Sequence, residues 1–348
     1  MPSFAQRLVR WQRRHGRHDL PWQGDCDPYP IWLSEIMLQQ TRVATVIGYY
    51  ERFLARFPDL ASLAAAPVGE VMALWSGLGY YARARNLHAC ARAVVRDHGG
   101  RFPRQPQRIA ALPGIGRSTA NAIAAFCFGV PVPILDGNVK RVLCRHFGIE
   151  GFPGTPAVER DLWRLAESLL PTREVGAYLQ AQMDLGATLC TRSRPDCQAC
   201  PLATTCVARS SGRIAELPAA RPGRTRPERE TTALVLLDGG RVLLQERPPA
   251  GIWGGLLSLP ELPAKTTPEA CAGKLGCRLR SKRALRPIRH AFTHFRLTVK
   301  PLVCAVSAIP GVAEPGLQWL AAGELAGAPL PAPIRRLLAA LLDQPVVG

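Results

Sequence analysis

Apolar side chains recur at helical spacing through most of the first 190 residues. Near the N-terminus Phe4, Leu8 and Trp11 would share one face of a short basic helix over 4–14. Extended, proline-containing turns such as Asp27-Pro28-Tyr29-Pro30 interrupt the pattern. The segments with this periodicity cover residues 4–14, 31–50, 51–100 and 155–190. They predict a mainly α-helical first domain, 1–208.

After residue 230 the pattern changes to short β-rich runs. Residues 231–237 and 241–245 flank Asp238-Gly239-Gly240, which predicts a β-hairpin. Further strands are predicted over 295–306 and 317–320, and helices over 268–275 and 333–342. The preceding stretch, 209–229, has six arginines and three prolines and no apolar periodicity, so we interpret it as a basic linker. The sequence therefore predicts an α+β second domain over 230–348.

A tight turn, Leu112-Pro113-Gly114-Ile115-Gly116, separates helix-compatible segments at 106–112 and 117–128. Its glycines permit positive φ and a close approach by another molecule. We interpret the unit as a helix–hairpin–helix whose second helix offers backbone N–H groups and a dipole to a phosphate. Twenty residues beyond Gly116, Asp136 follows an apolar run and precedes Gly137. A phosphate clamp followed by a placed carboxylate indicates chemistry on DNA.

Glu35 is surrounded in sequence by apolar residues, including Trp32, Leu33 and Ile36. It could point outward from an amphipathic helix, or its pKa could be raised by apolar surroundings so that it acts as a general acid. The adjacent Gln39-Gln40-Thr41 could hydrogen-bond bases or form a solvated face. The composition of this segment does not decide between these alternatives.

The segment Ser76–Tyr81 places two glycines around Leu78, followed by paired tyrosines and by Arg83 and Arg85. It could be an ordinary turn between helices with buried aromatic rings. Alternatively, it could form an apolar wedge that enters a base stack.

Four cysteines lie within seventeen residues at the spacing C-x6-C-x2-C-x5-C, too dense for core filling. Tetrathiolate sites hold zinc or an iron–sulfur cluster, and the spacing leaves both open. Pro201 directly after Cys200 is similar to ferredoxin-like loops. The cysteines are Cys190, Cys197, Cys200 and Cys206.

Composition adds a polyanionic partner to this picture. The 348 residues carry a net charge of +18 and an isoelectric point near 10.1. Arginine supplies 39 of the 44 cationic residues and grips phosphate bidentately, although the Arg, Ala and Pro bias could reflect genome base composition. There is no signal-like N-terminus or 18-residue apolar run, and eleven cysteines favour reduced thiols or metal ligation over disulfides. We expect a cytoplasmic, nucleoid-associated bacterial protein.

Several long motifs, in order, resemble the MutY-type adenine DNA glycosylases of the helix–hairpin–helix, iron–sulfur superfamily. In the first domain these are WLSEIMLQQT, LWSGLGYYARARNLH, LPGIGRSTA, ILDGNVKRV and MDLGATLCTRSRPDC. In the second domain RPPAGIWGGL and RHAFTHFRL resemble the Nudix-like C-terminal module of that family. The resemblance implies two helical subdomains with the active site in the cleft between them, and a [4Fe-4S] cluster on the four cysteines.

The resemblance also implies a reaction, the removal of adenine mispaired with 8-oxoguanine or guanine. Glu35 would protonate adenine N7, Asp136 would stabilise the oxocarbenium ion, and Asn138 would help to orient that site. The other implied positions are Trp22, Leu38 and Gln180 in the adenine pocket, Gln40, Leu78 and Tyr80 at the vacated base position, Phe292, Thr293 and His294 at 8-oxoguanine, and Gly114, Gly116 and Ser118 at the phosphate.

The chain departs from its relatives at informative positions. Bifunctional members carry a lysine just after the hairpin, where this chain has Ser118, and Lys140 is the only lysine before position 265. We therefore predict a monofunctional enzyme. Some MutY proteins have tyrosine at Ser118, so the hydrogen-bond partner of Asp136 stays open, and Thr293 replaces the family serine. Only Glu261 and Glu269 occupy the region of the Nudix acidic box, which predicts recognition without hydrolysis.

Three alternative functions fit the sequence less well. A glycosylase for another base, such as thymine in G·T mismatches, usually lacks the C-terminal domain. A catalytically inactive DNA-binding or cluster-sensing protein is disfavoured by the presence of both carboxylates, and a nucleotide hydrolase by the missing acidic box. The expected partner is double-stranded DNA with A:8-oxoguanine or A:G mispairs, bound by a monomer without membrane attachment.

Overall fold

The computed structural model describes residues 2–24, 26–223, 225–309 and 316–342. The chain forms two compact units, and they are not simply consecutive. The first comprises Met1–Ala64 and Ala89–Gly223, and the second comprises Ala65–His88 and Arg224–Gly348. The sequence pattern did not indicate that 65–88 groups with the C-terminal part. The domain limits in the preceding section stay predictions, and position 224 of the linker and 310–315 and 343–348 of the last domain lie outside the described residues.

The first unit is built from helices, as the sequence predicts. Helix α5 (Val68–Trp75) belongs to the second unit, and α6 (Ala82–His98) runs from the second unit into the first. The other helices in this part of the chain are α1 (Phe4–His15), α2 (Pro28–Leu38), α3 (Val43–Arg56), α4 (Leu60–Ala65), α7 (Pro106–Ala110), α8 (Arg117–Phe128), α9 (Gly137–Phe147), α10 (Pro156–Ser168), α11 (Val175–Thr188) and α12 (Val207–Ser210).

Local side chains explain where the helices begin and end. Ser3 and Gln6 form a reciprocal capping box at α1, and Asp27 caps α2 ahead of Pro28. The continuous helical segment predicted over 31–50 is wrong, because the structure divides it into α2 and α3. Gln40 has φ of 58°, a left-handed conformation that an α-helix cannot continue through.

The main core of the first unit lies where α1 and α9 pack against α11. Leu8, Leu143 and Leu185 are fully buried there, and each contributes roughly 1.5–3 kcal/mol through burial. Cys190 and Cys200 pack against the edge of this core. The core therefore joins the cysteine segment to the helices that carry Asp136 and Gln180.

The second unit contains a seven-stranded sheet with β1 and β6 parallel at its centre. The strand order is β3-β2-β1-β6-β4, with β5 on β6 and β7 on β2. The strands are β1 (Glu228–Asp238), β2 (Arg241–Glu246), β3 (Leu257–Ser258), β4 (Cys277–Ala284), β5 (Ile288–Ala291), β6 (Arg296–Ala308) and β7 (Leu317–Ala321), with α13 (Pro268–Lys274) and α14 (Ala332–Leu342). This confirms the predicted sheet-containing second part. Strands β4 and β5 were missed, because most of their residues are exposed and carry no apolar alternation.

Candidate active site

A cavity of about 810 Å³ opens within the first unit. It is lined by the segment after α1 and by parts of α2, α8, α11 and the start of α9. The predicted site residues that line it are Trp22, Glu35, Leu38, Ser118, Asp136, Asn138 and Gln180. Residues from five separate stretches of sequence therefore meet around one space, which is large enough for a nucleobase with its sugar.

Glu35 extends from α2 between fully buried neighbours on both sides along the helix, and its side chain keeps partial exposure because it lines the cavity. Burial, and to a smaller extent the nearby negative charge of Asp136, together raise the pKa of Glu35 to about 7. A carboxyl with this pKa holds its proton at near-neutral pH, as a general acid must.

Asp136 is the N-cap of α9, and its carboxylate satisfies the start of that helix. Oδ1 accepts the Val139 N–H at 2.7 Å, and Oδ2 accepts from Asn138 Nδ2 at 3.3 Å. Burial raises the pKa of Asp136, while the hydrogen bonds from Val139 and Asn138 and the charge of Arg141 oppose that rise. Two carboxyl groups with different surroundings therefore share the cavity, one in apolar company and one held by N–H donors.

The hydrogen-bond partner of Ser118 near Asp136 is a backbone group. Its hydroxyl oxygen accepts the backbone N–H of Leu135 at 3.1 Å. It thereby fixes the main chain one residue before Asp136, and the contact is with the backbone of that stretch.

Arg141, which the sequence analysis missed, links the Asp136 side of the cavity to the cysteine segment. Its Nη2 donates to Asn138 Oδ1 at 2.8 Å and to the Gly186 carbonyl at 2.6 Å. Its Nε donates to the Cys190 carbonyl at 2.7 Å. The position of Arg141 one turn after Asn138 on α9 was the available signal.

Gly186 of α11 allows that helix to approach Asn138 closely. A Cβ at position 186 would lie 2.6 Å from Asn138 Cβ and 3.0 Å from Asn138 Cα. A glycine inside a helix is unfavourable unless packing requires it, and here packing does. Nothing in the sequence around Met183-Asp184-Leu185-Gly186 indicates this packing role, because the contact depends on where α11 meets α9.

Gln180 is held in the cavity wall by a buried carboxylate. Its Nε2 donates to Asp184 Oδ1 at 2.9 Å, and Asp184 is fully buried. Arg17, which also lines the cavity, forms an ion pair with Asp184 at 2.7 Å and donates its backbone N–H to Oδ2 at 3.0 Å. The sequence signal for this network is Asp184 itself, an acidic residue on the mostly apolar buried face of α11.

The hairpin before α8 has the predicted glycine turn. Gly114 has φ of 74°, in the left-handed region, whereas Gly116 is extended and forms the N-cap of α8. A Cβ added at Gly116 would have no heavy atom within 4 Å, so the space beside it is open. This leaves room for a ligand at the N-terminus of a twelve-residue helix.

The four predicted metal-binding cysteines lie close enough to affect one another. The pKa of the Cys200 thiol is raised to about 11, chiefly by burial and also by the charges of the other three thiolates, while a backbone N–H from Leu202 opposes the rise. Arg145 Nη1 lies 3.5 Å from Cys190 Sγ. In the part of the chain that the structure describes, no group of three or more His, Cys, Asp or Glu side chains is arranged to hold a single metal ion.

The remaining predicted residues are not among the described residues that line this cavity. Gln40 is exposed in the break between α2 and α3 and does not line it. Leu78 is buried, whereas Tyr80 is 47% exposed, and both belong to the second unit. The Tyr80 hydroxyl lies 3.2 Å from Thr293 Oγ1. Next to Thr293, Phe292 stacks on Phe295 with ring centroids 4.5 Å apart, and His294 is exposed.

Comparison with known proteins gives the class first. Residues 33–168 match the sequence model of the HhH-GPD superfamily base excision DNA repair proteins, and residues 232–340 match that of the NUDIX domain. A solved structure of a thermostable thymine-DNA glycosylase aligns with a TM-score of 0.55 and 30% identity, covering 60% of this chain and 95% of that one. The helical fold and its cavity thus define a helix–hairpin–helix base-excision repair protein.

Relatives over the full length are more specific. An adenine DNA glycosylase of Buchnera aphidicola is 35% identical over 300 residues, which are 86% of each chain. That of Mus musculus is 35% identical over 91% of this chain and 74% of its own length. The chain belongs to the MutY-type adenine DNA glycosylase family. The described residues include no helix that is long and apolar enough to cross a membrane.

The raised pKa of Glu35 predicts a pH-dependent effect of Glu35→Gln on stability. Between the unfolded pKa near 4.5 and the folded pKa of about 7, the folded chain retains a proton that the unfolded chain loses, so its free energy of unfolding falls as pH rises. We expect Glu35→Gln to be more stable than wild type by roughly 2–3 kcal/mol at pH 8 and nearly equal at pH 4.5. Urea unfolding at both pH values, with exposed Glu51→Gln as control, measures this. An equal difference at both pH values would contradict it.

The close approach at Gly186 predicts that Gly186→Ala destabilises the first unit by about 1–3 kcal/mol, because Asn138 must move. Gly176→Ala on the same helix is the matched control, since its added Cβ would meet Phe126 Cδ1 at an ordinary 3.8 Å. Urea unfolding followed by circular dichroism compares the two. Equal effects of the two alanines would show that helix packing at Asn138 does not depend on the glycine.

Proposed function

We propose that this protein hydrolytically removes adenine from DNA in which adenine is paired with 8-oxoguanine or guanine. The observation that carries the proposal is the pair of carboxyl groups on one cavity, where Glu35 is shifted to a pKa of about 7 and Asp136 is held by N–H donors. The names of the full-length relatives supply the base. The match to base-excision repair proteins supplies the polymer.

The proposed reaction divides the work between the two acids. Adenine leaves poorly as an anion, so Glu35 donates its proton to N7 as the bond from N9 to the sugar C1′ breaks and takes the bonding electrons to the base. Asp136 stabilises the resulting oxocarbenium ion electrostatically or by transient covalent capture. The Glu35 carboxylate then accepts a proton from the water that attacks C1′, which restores the acid.

The adenine must leave the duplex to reach this cavity, since its reacting bond lies inside the base stack. Trp22, Leu38 and Gln180 would surround the extruded base, and Gln180 is already oriented by buried Asp184. The open space beside Gly116, after the left-handed turn at Gly114, would hold a phosphate of the deformed strand. Asn138 would orient the Asp136 carboxylate, to which it donates.

The enzyme is proposed to be monofunctional. A strand-cleaving glycosylase with a Schiff-base mechanism needs an amine at the sugar, and Ser118 stands where bifunctional relatives carry it. The Nζ of Lys140 forms an ion pair with Glu159 at 2.6 Å, and Lys140 is absent from the cavity lining that the structure describes. Residual lyase activity would require that pair to open.

Cys190, Cys197, Cys200 and Cys206 are proposed to ligate a [4Fe-4S] cluster. The donor set fits: four thiols within one short segment, with a backbone N–H from Leu202 directed at one sulfur and Arg145 beside another. Relatives of the endonuclease III type usually carry an iron–sulfur cluster. When bound, the cluster would cross-link this segment to the core, and none of the proposed steps at adenine passes through it.

The Nudix-like part is proposed to recognise the opposite base without hydrolysing nucleotides. Its two glutamates in the region of the acidic box are engaged by cations of the protein, Glu261 by Arg247 at 2.5 Å and Glu269 by Lys282 at 2.7 Å. Phe292, Thr293 and His294 form an exposed to half-buried tip beside Tyr80, suited to contact a base. Gln40, Leu78 and Tyr80 are proposed to fill or brace the position that adenine leaves.

Thymine excision has weaker support. The thymine-DNA glycosylase structure covers only 60% of this chain, although 95% of that chain is matched, so the Nudix-like part has no counterpart there. Monomeric action and a location in the bacterial cytoplasm stay predictions of the sequence.

Single-turnover base release from duplexes with adenine opposite 8-oxoguanine, guanine or thymine tests the proposal. We expect fast release opposite 8-oxoguanine, slower release opposite guanine and none opposite thymine, with strand breaks only after alkali. The rate should fall as pH rises above about 7, because Glu35 must be protonated. Glu35→Gln and Asp136→Asn should each lower the rate by about a hundredfold or more. Because asparagine can also cap α9, Asp136→Asn removes the negative charge without removing the helix cap.

No base release from any duplex by folded, cluster-loaded protein would contradict the proposal, as would wild-type rates in either variant. Efficient borohydride trapping of wild type would contradict the monofunctional part alone.

The cysteine proposal predicts about four iron and four sulfide per chain, with the visible absorption of an iron–sulfur cluster. Cys197→Ala should lose the iron and the absorption, because three thiolates hold a cubane poorly. Exposed Cys26→Ala is the control and should retain both. Stoichiometric zinc in the wild-type protein, without iron, would overturn the assignment in favour of a zinc site.

A further inference from the structure

The turn between α5 and α6, residues 76–81, is attached at its base to the C-terminal end of the second unit. Ser76, which ends α5, donates its hydroxyl proton to the Leu330 carbonyl at 2.8 Å. The same hydroxyl oxygen accepts from Arg335 Nη2 at 3.0 Å. One side chain of the turn therefore connects to both the loop before α14 and the helix itself.

Arg335 is the centre of this attachment. Its Nη1 donates to the carbonyls of Leu325 at 2.6 Å and Ala326 at 2.9 Å, and its Nη2 also donates to the carbonyl of Ala328 at 2.6 Å. Four acceptors hold the planar guanidinium of Arg335 in one orientation. A lysine ammonium lacks the forked N–H groups that would reach all four. We call Ser76, Arg335 and the carbonyls of 325–330 the Arg335 hub.

Two further contacts join the same stretch of chain to the recognition tip. The Tyr80 hydroxyl meets Thr293 Oγ1 at 3.2 Å, and Arg85 donates to the Gly254 carbonyl. Trp253, next to Gly254, packs on Phe292 with ring centroids 5.9 Å apart. The residues that would stand at the vacated base position and at 8-oxoguanine therefore share a single framework.

The contact at the tip is too weak to set this arrangement. Tyr80 and Thr293 are both exposed, and a single neutral hydrogen bond in water contributes little net free energy. Tyr80 also has φ of 50°, so its direction depends on how the turn is held. Ser76, the member of the half-buried Arg335 hub that belongs to the turn, lies four residues before Tyr80, so the hub can fix the turn.

We propose that Arg335, acting through Ser76, is a positioning residue that sets Tyr80 against Thr293 and thereby determines discrimination between 8-oxoguanine and guanine opposite adenine. The inference rests on the proposed function and deepens it. Arg335 touches neither base; it acts on the geometry of the two side chains that would. Loss of the hub therefore reduces discrimination between the two opposite bases more than it slows the chemistry at Glu35 and Asp136.

The test compares Arg335→Ala, Arg335→Lys and Ser76→Ala with wild type, and uses Arg283→Ala on β4 as an exposed charge-loss control. Single-turnover titrations with A:8-oxoguanine and A:G duplexes give the binding constant and the release rate for each. We expect the preference for 8-oxoguanine to fall about tenfold in Arg335→Ala and to be only partly restored by lysine. The double variant with Ser76→Ala should fall no further, because both changes break the same contact. Hydrogen exchange should increase in residues 76–81.

The outcomes separate the two proposals. Preserved preference and unchanged exchange in Arg335→Ala, with wild type discriminating normally, would overturn the positioning role and leave the proposed function intact. Equal losses on both duplexes, accompanied by a lower melting temperature, would also overturn it, since the effect would then be general destabilisation. If wild type itself shows no preference, the proposed function fails, and the positioning role fails with it.

Discussion

The geometry of the candidate active site depends on one carboxylate that serves two purposes. Asp136 satisfies the first N–H groups of α9 and at the same time lines the cavity opposite Glu35. The helix cannot begin elsewhere without moving the acid, and the acid cannot rotate away without uncapping the helix. Ser118 fixes the chain before it, Asn138 and Arg141 fix the chain after it, and Gly186 allows α11 to close over that stretch. Contacts from several parts of the chain therefore hold Asp136 in this position.

The two acids differ because their neighbours differ. Glu35 projects from an apolar helix, so desolvation favours its neutral form, whereas Asp136 sits at a helix N-terminus, where N–H donors oppose the same effect. The negative charge of Asp136 also disfavours ionisation of Glu35. The proposed division of roles between a proton donor and an anion follows this difference in surroundings.

Much of this could be predicted from sequence because its signals are local. Helical spacing around Leu8, the glycine turn at 112–116 and the change to β-rich runs after 230 all depend on residues close in the chain. The break at Gln40 could not be predicted, since a glutamine with positive φ leaves no compositional mark. Strands β4 and β5 were missed because their side chains are mostly solvated. The networks of Arg141, Arg17 and Asp184 could not be predicted in full, because the contacts from Arg141 to Gly186 and from Arg17 to Asp184 span 45 and 167 residues and only the fold brings these partners together.

The assignment of residues 65–88 to the second unit has a consequence for the integrity of the chain. The polypeptide passes from one unit to the other three times, after residues 64, 88 and 223. A protease that cuts the arginine-rich stretch at 209–229 would therefore divide the second unit between two pieces of chain, because residues 65–88 stay covalently attached to the first unit. Neither unit is one uninterrupted stretch of chain, and a truncation at the linker would leave α5 and the first half of α6 without the C-terminal residues that complete the second unit. The two parts that the sequence pattern separates at the linker are therefore not separable as consecutive pieces of chain.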